Sequence, residues 1–457
     1  MGLKMDEKQK AATEILKKLR QAGFQAYFVG GCVRDMVMGV KPKDYDVATD
    51  AHPHQVLEIF PEGLAVGAQF GVILVPRESG PVEVATFRSD GIYSDGRHPN
   101  EVRYAQTAEE DVRRRDFTIN GLLWDPLQER VIDYVGGQED IRARRIRTIG
   151  PPLERFSEDR LRMLRAVRFA ARLGFTLDPA ILPAIRELRT LIETVSHERV
   201  RDEILKVLTE GAARKGMELL DEVGLLEIIL PEVKAMQGVE QPPQFHPEGD
   251  VWTHTLMMLE NLKQPSVTLA LGVLLHDVGK PPTFSVRDRI RFDRHPEVGA
   301  KMAAEICNRL RLPVRQTERI VALVENHLRF KDLPQMRRST QLRFLRMEGF
   351  EEHLELHRLD CLASHGNLSN YELARKLLEE TPQETIRPQP LLRGDDLIAQ
   401  GYTPGPQFKE ILRAIEDAQL EGAIHTHEDA LRLLHEKFPQ PSAHVIPSGS
   451  ARSPRSK

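Results

Sequence analysis

The sequence predicts an α+β protein, with a mixed α/β segment over about the first 150 residues and an all-helical remainder. Short runs of β-branched and aromatic residues, bounded by glycine, proline or polar residues, recur as candidate strands before Pro151. From Pro151 onward, apolar residues recur at helical spacing to about residue 436, and strand signals disappear. The Pro151-Pro152 pair is therefore a candidate domain boundary.

The elements of the first segment follow from its glycines and its periodicity. Residues 7–22 have the apolar spacing of a helix that ends at Gly23, and the next residues to Val29 form a candidate buried strand that runs into Gly30-Gly31. Further candidate strands cover 45–48, 71–76 and 82–87. At the other end, residues 439–457 are rich in Pro, Ser and basic residues, which predicts a disordered tail.

Composition excludes a disordered or membrane-spanning protein class. The 457 residues are 40% hydrophobic and 29% charged, which is enough apolar material for several cores and predicts two to four domains. We find no run of eighteen apolar residues and no apolar signal block at the N-terminus, so we expect a cytoplasmic protein without a membrane partner. Cys32, Cys307 and Cys361 are far apart in sequence, which predicts free, buried thiols.

The charge is unevenly distributed although the formal net charge is only −4. Arginines concentrate at residues 113–115, 142–147 and 160–172. A basic tract is more often a solvated face, but three within about sixty residues suggest a track for a polyphosphate or an RNA backbone.

Two motifs in the first segment together predict phosphoryl-transfer chemistry. Gly30-Gly31 follows a strand and opens a helix, so backbone N–H groups and Arg34 can face a triphosphate. Asp44 and Asp46 are two apart, and since side chains of a strand alternate, both carboxylates should face the same side and bind the same Mg²⁺ ions. Either motif alone is common in turns and on surfaces. At this spacing they support each other.

Further residues extend this candidate site. Glu83, on a later candidate strand, is the candidate for a third carboxylate. Arg115 can hold phosphate while Asp116 and Asn120 brace its loop, although a solvated basic turn before a buried helix also fits this segment alone.

Four motifs in order and spacing resemble the class II tRNA nucleotidyltransferase and bacterial poly(A) polymerase family. They are GGCVRD (30–35), DYD (44–46), RRDFTING (114–121) and EDRLRMLRAVRFAARLGF (158–175), with SHERVRDEILKVL (196–208) closing the match. Gly121 stands where the family often has Ala. The resemblance implies a head (1–150), a helical neck (151–215), a body (216–385) and a helical tail that docks tRNA (386–438). The nucleotide contacts that it implies are Gly31, Arg34, Arg115, Asp159, Arg162, Arg165 and Arg168.

A rule for selecting nucleotides without a template follows from two of these residues. Asp159 and Arg162 are three apart, and we expect them to share a face at the start of one helix, continued by Arg165 and Arg168. Cytosine and adenine present an amino donor beside a ring-nitrogen acceptor, whereas uracil and guanine present the reverse. An aspartate that accepts and an arginine that donates therefore match C and A. A surface salt bridge is the alternative interpretation.

The resemblance leaves open how many nucleotides are added to the RNA. Residues 86–99 resemble the intact flexible loop of enzymes that add the terminal A, and residues 67–75 resemble the tRNA-enzyme version rather than the arginine-rich strand of poly(A) polymerases. We therefore expect addition of CCA to the tRNA 3′ end from CTP and ATP, with no DNA partner. An A-adding enzyme and a poly(A) polymerase remain alternatives, and the oligomeric state is open.

A second set of residues resembles the metal site of HD-domain phosphohydrolases. His254, the pair His276-Asp277, and Asp360 follow its H…HD…D order, and His295 and His327 are further candidates. Such ligands suit a Mn²⁺, Ni²⁺ or Fe²⁺ ion that activates water for attack on a phosphoester. The alternatives are a domain that serves only as a scaffold, and a protein whose main activity is hydrolysis while the head binds RNA. The intact Asp44, Asp46 and Arg115 disfavour that last alternative.

Overall fold

The computed structural model describes residues 6–67, 71–89, 103–243 and 246–439. The chain divides into two compact units, one formed by residues 1–326 with 362–366, the other by 327–361 with 367–457. The first unit contains the predicted head and neck and the first part of the predicted body. The predicted boundaries at residues 150, 215 and 385 remain predictions.

The first unit is built around a mixed sheet. The described strands are β1 (Ala26–Val29), β2 (Asp46–Thr49), β3 (Leu64–Gly67), β4 (Val72–Val75), β5 (Val82–Thr86), β6 (Arg88–Ser89), β7 (Arg103–Tyr104), β8 (Leu122–Asp125), β9 (Arg130–Asp133), β10 (Arg145–Ile146), β11 (Thr176–Leu177), β12 (Phe284–Val286) and β13 (Ile290–Phe292). Seven of them form one sheet in the order β3-β4-β5-β2-β1-β8-β9. Within it β2 and β5 are parallel, and every other neighbouring pair is antiparallel.

Helices surround this sheet and fill the rest of the first unit. They are α1 (Glu7–Gln21), α2 (Gly31–Val37), α3 (Pro53–Ile59), α4 (Ala108–Arg113), α5 (Gly137–Arg142), α6 (Pro152–Glu158), α7 (Arg162–Leu173), α8 (Ile181–Leu188), α9 (His197–Thr209), α10 (Ala213–Glu222), α11 (Leu226–Ile229), α12 (Pro231–Lys234), α13 (Val251–Glu260), α14 (Val267–Leu275), α15 (Lys280–Thr283), α16 (His295–Arg309) and α17 (Val314–Asn326). α7 packs against α9 and α10. In turn, α9 contacts α14, and α10 contacts α13. This continuous packing explains why the predicted head, neck and early body form one compact unit.

The second unit is helical in its described residues. It contains a 3₁₀ segment (His327–Gln335) and the helices α18 (Arg338–Leu345), α19 (Phe350–Ala363, which ends in the first unit), α20 (Ser369–Glu380), α21 (Gln383–Ile386), α22 (Gly394–Ala399), α23 (Pro406–Leu420) and α24 (His427–Lys437). Two apolar cores hold it together. One is centred on Phe330, Phe344 and Phe350, and the other on Leu397 and Ile411.

Local sequence explains where the elements that position the candidate site begin and end. Asp6 accepts a hydrogen bond from the Gln9 N–H at 2.8 Å and caps α1, whose Ile15 and Leu19 are buried. α7 ends at Gly174, whose φ of 65° lies in the left-handed region that glycine adopts readily. These caps fix the ends of the two helices that border the candidate site.

The predicted fold class is confirmed, with one correction. The strands β11, β12 and β13 lie beyond Pro151, where no strand was predicted. The three cysteines are free and buried as predicted. None of the described helices combines the length and apolar character needed to cross a membrane. Parts of three predictions lie outside the described residues. They are the predicted disordered tail from residue 440 onward, residues 68–70 of the segment 67–75, and residues 90–99 of the predicted flexible loop 86–99.

Candidate active site

The turn between β1 and α2 lies beside two arginines. Gly30 has φ 71° and ψ −130°, a backbone conformation that glycine adopts without strain. A Cβ atom on Gly30 would lie 3.4 Å from Nη1 of Arg115, and one on Gly31 would lie 3.6 Å from Nη2 of Arg34. Both guanidinium groups therefore lie close to the glycine turn at the end of β1.

Three carboxylates gather at the amino-terminal ends of the parallel strands β2 and β5. Asp46 is the first residue of β2, and the pairing of the next residue with Val84 places Glu83 beside it. Asp44 precedes β2, and Tyr45 between the two aspartates is buried. Asp44, Asp46 and Glu83 line one pocket of about 330 Å³, which we call the carboxylate pocket. The structure thus brings the three predicted catalytic residues together.

The carboxylate pocket has the chemistry of a site for a hard divalent cation. Burial raises the pKa of Asp46 to about 6, and the charges of Glu83 and Asp44 add to this rise while that of Arg115 opposes it. The ammonium group of Lys8, on α1, lies 2.7 Å from Asp44 Oδ1. A cluster of oxygen ligands whose negative charges repel one another fits Mg²⁺, which would relieve that repulsion.

A second pocket adjoins the first and is lined mainly by arginines. Its volume is about 470 Å³, and we call it the arginine pocket. All of the predicted nucleotide contacts line it: Gly31, Arg34, Arg115, Asp159, Arg162, Arg165 and Arg168. Asp46 lines this pocket as well as the carboxylate pocket. The lining also includes Arg114, Phe169 and Arg172, to which the sequence assigned no individual role.

A chain of hydrogen bonds fixes the arginines at the floor of the arginine pocket. Arg34 Nη1 donates to Asn120 Oδ1 at 2.9 Å, and Asn120 Nδ2 donates to Asp116 Oδ1 at 3.3 Å. The other oxygen of Asp116 accepts from Nε of Arg165 at 2.7 Å. Burial alone would raise the pKa of Asp116, but the charge and hydrogen bonds of Arg165 lower it. Asp116 and Asn120 therefore lie where they can brace the site.

Asp111 of α4 anchors the two arginines that precede Asp116. Its Oδ1 lies 2.6 Å from Nη2 of Arg114, and its Oδ2 lies 2.8 Å from Nη2 of Arg115. It also accepts the backbone N–H of Arg88 at 3.1 Å. Burial opposes ionisation, but the charges of Arg115 and Arg114 outweigh it and lower the pKa of Asp111 to about 2. The sequence motif gave no sign of this residue's role, because Asp111 lies before the matched segment.

The ring of Phe169 supports three guanidinium groups. The Cζ atoms of Arg34, Arg165 and Arg168 lie 5.5, 5.3 and 4.3 Å from its centroid. Cation–π contacts of this kind attract the charges to the ring face. Phe169 was overlooked because an aromatic residue at helical spacing is typical of an apolar core.

The predicted arrangement of Asp159 and Arg162 on one helix is wrong. α6 ends at Glu158 and α7 begins at Arg162, while Asp159 between them is extended, with φ −137° and ψ 103°. Asp159 Oδ2 pairs with Arg199 Nη2 at 2.9 Å, and Arg162 Nη1 pairs with Glu158 Oε2 at 2.6 Å. Both residues nevertheless line the arginine pocket.

Three imidazoles of the predicted HD site are oriented by hydrogen bonds through Nδ1. His254 Nδ1 lies 2.7 Å from Glu248 Oε1, His276 Nδ1 lies 2.8 Å from Val273 O, and His295 Nδ1 lies 2.9 Å from Phe292 O. An Nδ1–H donated in this way makes Nε2 the nitrogen with a lone pair for a metal. Glu248 was not predicted.

Asp277 lies between two of these rings. Its Oδ2 is 3.1 Å from Nε2 of His276, and its Oδ1 is 3.5 Å from Nε2 of His295. The ammonium group of Lys280 also lies 2.6 Å from its Oδ2. This set of nitrogen and oxygen ligands fits a divalent transition metal. The remaining predicted ligands, His327 and Asp360, belong to the second unit, and their roles remain predictions.

Family descriptions match three successive parts of the chain. They are the "Poly A polymerase head domain" over residues 26–147, the "Probable RNA and SrmB- binding site of polymerase A" over residues 174–237, and the "HD domain" over residues 250–363. The first of these spans the carboxylate residues and Arg115, and the last spans the three oriented imidazoles.

Individual relatives match most or part of the chain. A CCA-adding enzyme of Geobacillus sp. is 31% identical over 435 residues, covering 94% of this chain and 98% of that protein. A CCA-adding enzyme of Bacillus licheniformis is 40% identical over 257 residues, which span 54% of this chain and 64% of that protein. The crystal structure of the Bacillus stearothermophilus CCA-adding enzyme in complex with CTP is similar, with a TM-score of 0.70 and 27% identity, covering 94% of this chain and 98% of that one.

Proposed function

Because this chain belongs to the family of CCA-adding enzymes, we propose that it transfers CMP and AMP from CTP and ATP to the 3′ end of tRNA without a template. One observation carries the proposal. The seven residues predicted to contact the nucleotide line one arginine-rich pocket, and Asp46 connects it with a pocket of carboxylates. A triphosphate requires the first pocket, and phosphoryl transfer requires the second.

The roles that we propose in the head follow from this geometry. Arg34 and Arg115 bind the triphosphate, because both guanidinium groups are held beside the glycine turn at the end of β1. Asp44 and Asp46, with Glu83 beside them, would hold Mg²⁺. The ion would neutralise charge on the triphosphate and on the departing pyrophosphate.

The proposed base selection uses Asp159 and Arg162. Both line the arginine pocket, and an ionised Asp159 accepts from the amino group of cytosine or adenine while Arg162 donates to the ring nitrogen. Uracil and guanine would face each group with the wrong partner. The pair of Asp159 with Arg199 holds this carboxylate in place on the wall of the pocket.

The test uses labelled CTP and ATP, separately and together, on three RNAs: tRNA that ends before CCA, tRNA that ends in CC, and a short oligo(A). We expect C and then A to be added to the first, with synthesis stopping after CCA. Addition of A only to the tRNA ending in CC would instead identify an A-adding enzyme. Long tails on oligo(A) would identify a poly(A) polymerase.

The oriented imidazoles favour a second activity, which we propose to be metal-dependent hydrolysis of phosphoesters such as 2′,3′-cyclic or 2′-phosphate RNA ends. His254, His276, Asp277 and His295, with Asp360 and His327 predicted to join them, would hold a Mn²⁺, Ni²⁺ or Fe²⁺ ion. Such an ion would supply an activated water molecule.

A pair of variants separates the two proposed activities. Asp44→Ala should abolish nucleotide incorporation and leave hydrolysis intact, whereas His276→Ala should do the reverse. Both are assayed with the same preparations, using CTP incorporation and hydrolysis of a 2′,3′-cyclic nucleotide with each metal. Loss of both activities in either variant, with folding intact, would contradict the two-site hypothesis.

A further inference from the structure

The hairpin of β12 and β13 presents large apolar side chains to solvent. Its register pairs Phe284 with Phe292 and Val286 with Ile290. Because side chains alternate along each strand, these four side chains share one face of the hairpin. Phe284 and Val286 on that face are 41% and 65% exposed. Apolar groups that are exposed together mark a surface for a ligand or a partner.

One end of this apolar face adjoins the predicted HD site. The ring centroid of Phe292 lies 5.9 Å from that of Phe284 and 6.2 Å from that of His295. The ammonium group of Lys280 lies 5.3 Å from the Phe292 centroid. His295 and Lys280 both lie against Asp277. The two phenylalanine rings therefore form a row that leads from the proposed metal ligands to the exposed face of the hairpin.

The turn at the other end of the hairpin is positively charged. Arg287 and Arg289 are exposed, and neither side chain has a hydrogen bond or ion pair with any residue that the structure describes. Asp288 between them pairs with Arg291 instead, at 2.8 Å. From Phe284 to Arg287 is three residues, or about 10 Å along a strand. A ligand of that length can contact the rings and the arginines together.

This combination of groups suits single-stranded RNA. Bases stack on aromatic side chains, and exposed arginines bind the phosphodiester backbone. About 10 Å corresponds to roughly three stacked nucleotides at 3.4 Å each. A protein partner fits less well, because stable protein interfaces bury about 1,200 Å² or more, and strands of three residues offer a small surface. Length and charge thus favour a short stretch of RNA.

We propose that the β12–β13 hairpin binds the last three nucleotides of a single-stranded RNA end whose terminal phosphate enters the HD site. Phe284 and Phe292 stack on the bases, and Arg287 and Arg289 bind the backbone. The proposal rests on the proposed phosphoester hydrolysis. It names the substrate class of that site as RNA ends rather than mononucleotides.

The first test compares the KM for hydrolysis of three substrates with Mn²⁺. They are 2′,3′-cyclic AMP and RNAs of three and six nucleotides that end in a 2′,3′-cyclic phosphate. This KM reports productive binding at the HD site and not RNA bound elsewhere. The variants are Arg289→Gln and Phe284→Ser. Lys301→Gln is the control, because Lys301 is an exposed cation on α16, outside the hairpin.

In the wild type, the KM of the trinucleotide should be at least about tenfold below that of cyclic AMP, and the hexanucleotide should gain little more. Arg289→Gln should reduce this ratio several-fold. It should also lower the slope of log KM against log salt concentration by about 0.7 for the RNA, which corresponds to one lost phosphate contact. Phe284→Ser should reduce the ratio about tenfold, in the range of base stacking on an aromatic ring. Lys301→Gln should leave the ratio unchanged.

The second test does not depend on hydrolysis. The trinucleotide carries 4-thiouridine at each position and is photocrosslinked to the protein in the presence of a metal chelator. Mass spectrometry of the digested product should find the RNA attached within residues 284–292. Excess unlabelled trinucleotide should prevent this attachment.

Three results would overturn the RNA site on the hairpin. They are equal KM values for cyclic AMP and the trinucleotide in the wild type, a ratio in Arg289→Gln that matches Lys301→Gln, and crosslinks that avoid residues 284–292. Failure of the proposed hydrolysis has a different signature, because the wild type would then hydrolyse none of the substrates with any metal. The crosslinking result alone would then decide whether the hairpin binds RNA.

Discussion

Replacing Asp111 by Asn tests whether one buried carboxylate holds two arginines of the proposed nucleotide site in place. Asp111 is 2% exposed in its side chain and pairs with Arg114 and Arg115 at 2.6 and 2.8 Å. Asparagine keeps the size of the side chain and removes its charge. Both guanidinium groups then lose their charged partner in a largely buried setting, which is a costly change.

The expected loss of stability follows from the pKa. A carboxyl whose pKa falls from 3.8 to about 2 on folding contributes about 2 kcal/mol at neutral pH. Because the folded pKa is lower than the unfolded one, this contribution is complete above about pH 5. It is lost as the pH falls toward 2, and roughly half remains at pH 3. Asp111→Asn should therefore destabilise the head by about 2 kcal/mol at pH 7 and by less at pH 3.

The assay is urea unfolding, followed by the fluorescence of Trp124 in β8. The protein has two tryptophans, so a Trp252→Phe background leaves Trp124 as the reporter of the head. Glu109→Gln is the control on the same helix. Its partner Arg113, at 2.6 Å, and Glu109 are 62% and 45% exposed, so that pair should be worth less than about 0.5 kcal/mol.

Three outcomes would refute this account of Asp111. The first is unfolding of Asp111→Asn at the same urea concentration as Glu109→Gln, the second is a difference from wild type that is as large at pH 3 as at pH 7, and the third is an unchanged CTP affinity. The affinity measurement matters because loosening Arg115 should weaken CTP binding several-fold. Stability and binding are thus expected to change together.

Three further predictions concern positioning residues. Glu248→Ala should lower the metal affinity of the HD site by about tenfold or more, since His254 loses the acceptor that orients it; titration calorimetry with Mn²⁺ measures this, and unchanged affinity would contradict it. Phe169→Leu should raise the KM for CTP and ATP alike and lower the stability of the first unit by about 1 kcal/mol, as steady-state kinetics and urea unfolding would show. Arg199→Ala should release Asp159 and raise the incorporation of UMP relative to CMP about fivefold, whereas an unchanged ratio would separate this ion pair from base selection.

The parts of the site that local spacing determines were predictable from the sequence. The glycine turn and the two aspartates lie next to a strand, where period-two alternation fixes the direction of side chains. Arg162, Arg165 and Arg168 recur at helical spacing, so they reach one pocket. Fold class followed from the same two periodicities.

Contacts between distant segments were not predictable in this way. Lys8 and Asp44 are 36 residues apart, and neither segment carries a local sign of the other. The extended conformation of Asp159 was also missed, because the surrounding residues have continuous helical propensity and packing overrides it. The hairpin of β12 and β13 was missed for another reason. Phe284, Val286 and Ile290 carry an alternating pattern that was overlooked within a helical region.

Asp46 lines both the arginine pocket and the carboxylate pocket, and this has a consequence for the addition of successive nucleotides. In the proposed reaction each new nucleotide is joined while it lies among the arginines, and its own 3′ hydroxyl is then the acceptor for the next nucleotide. The new 3′ end therefore has to leave the arginine pocket before the next triphosphate can bind there. Departure of pyrophosphate removes most of the negative charge that the arginines bind. The electrostatic attraction between the RNA product and the arginine pocket therefore weakens at the step in which the RNA end has to move. Release and translocation are in this way coupled by charge.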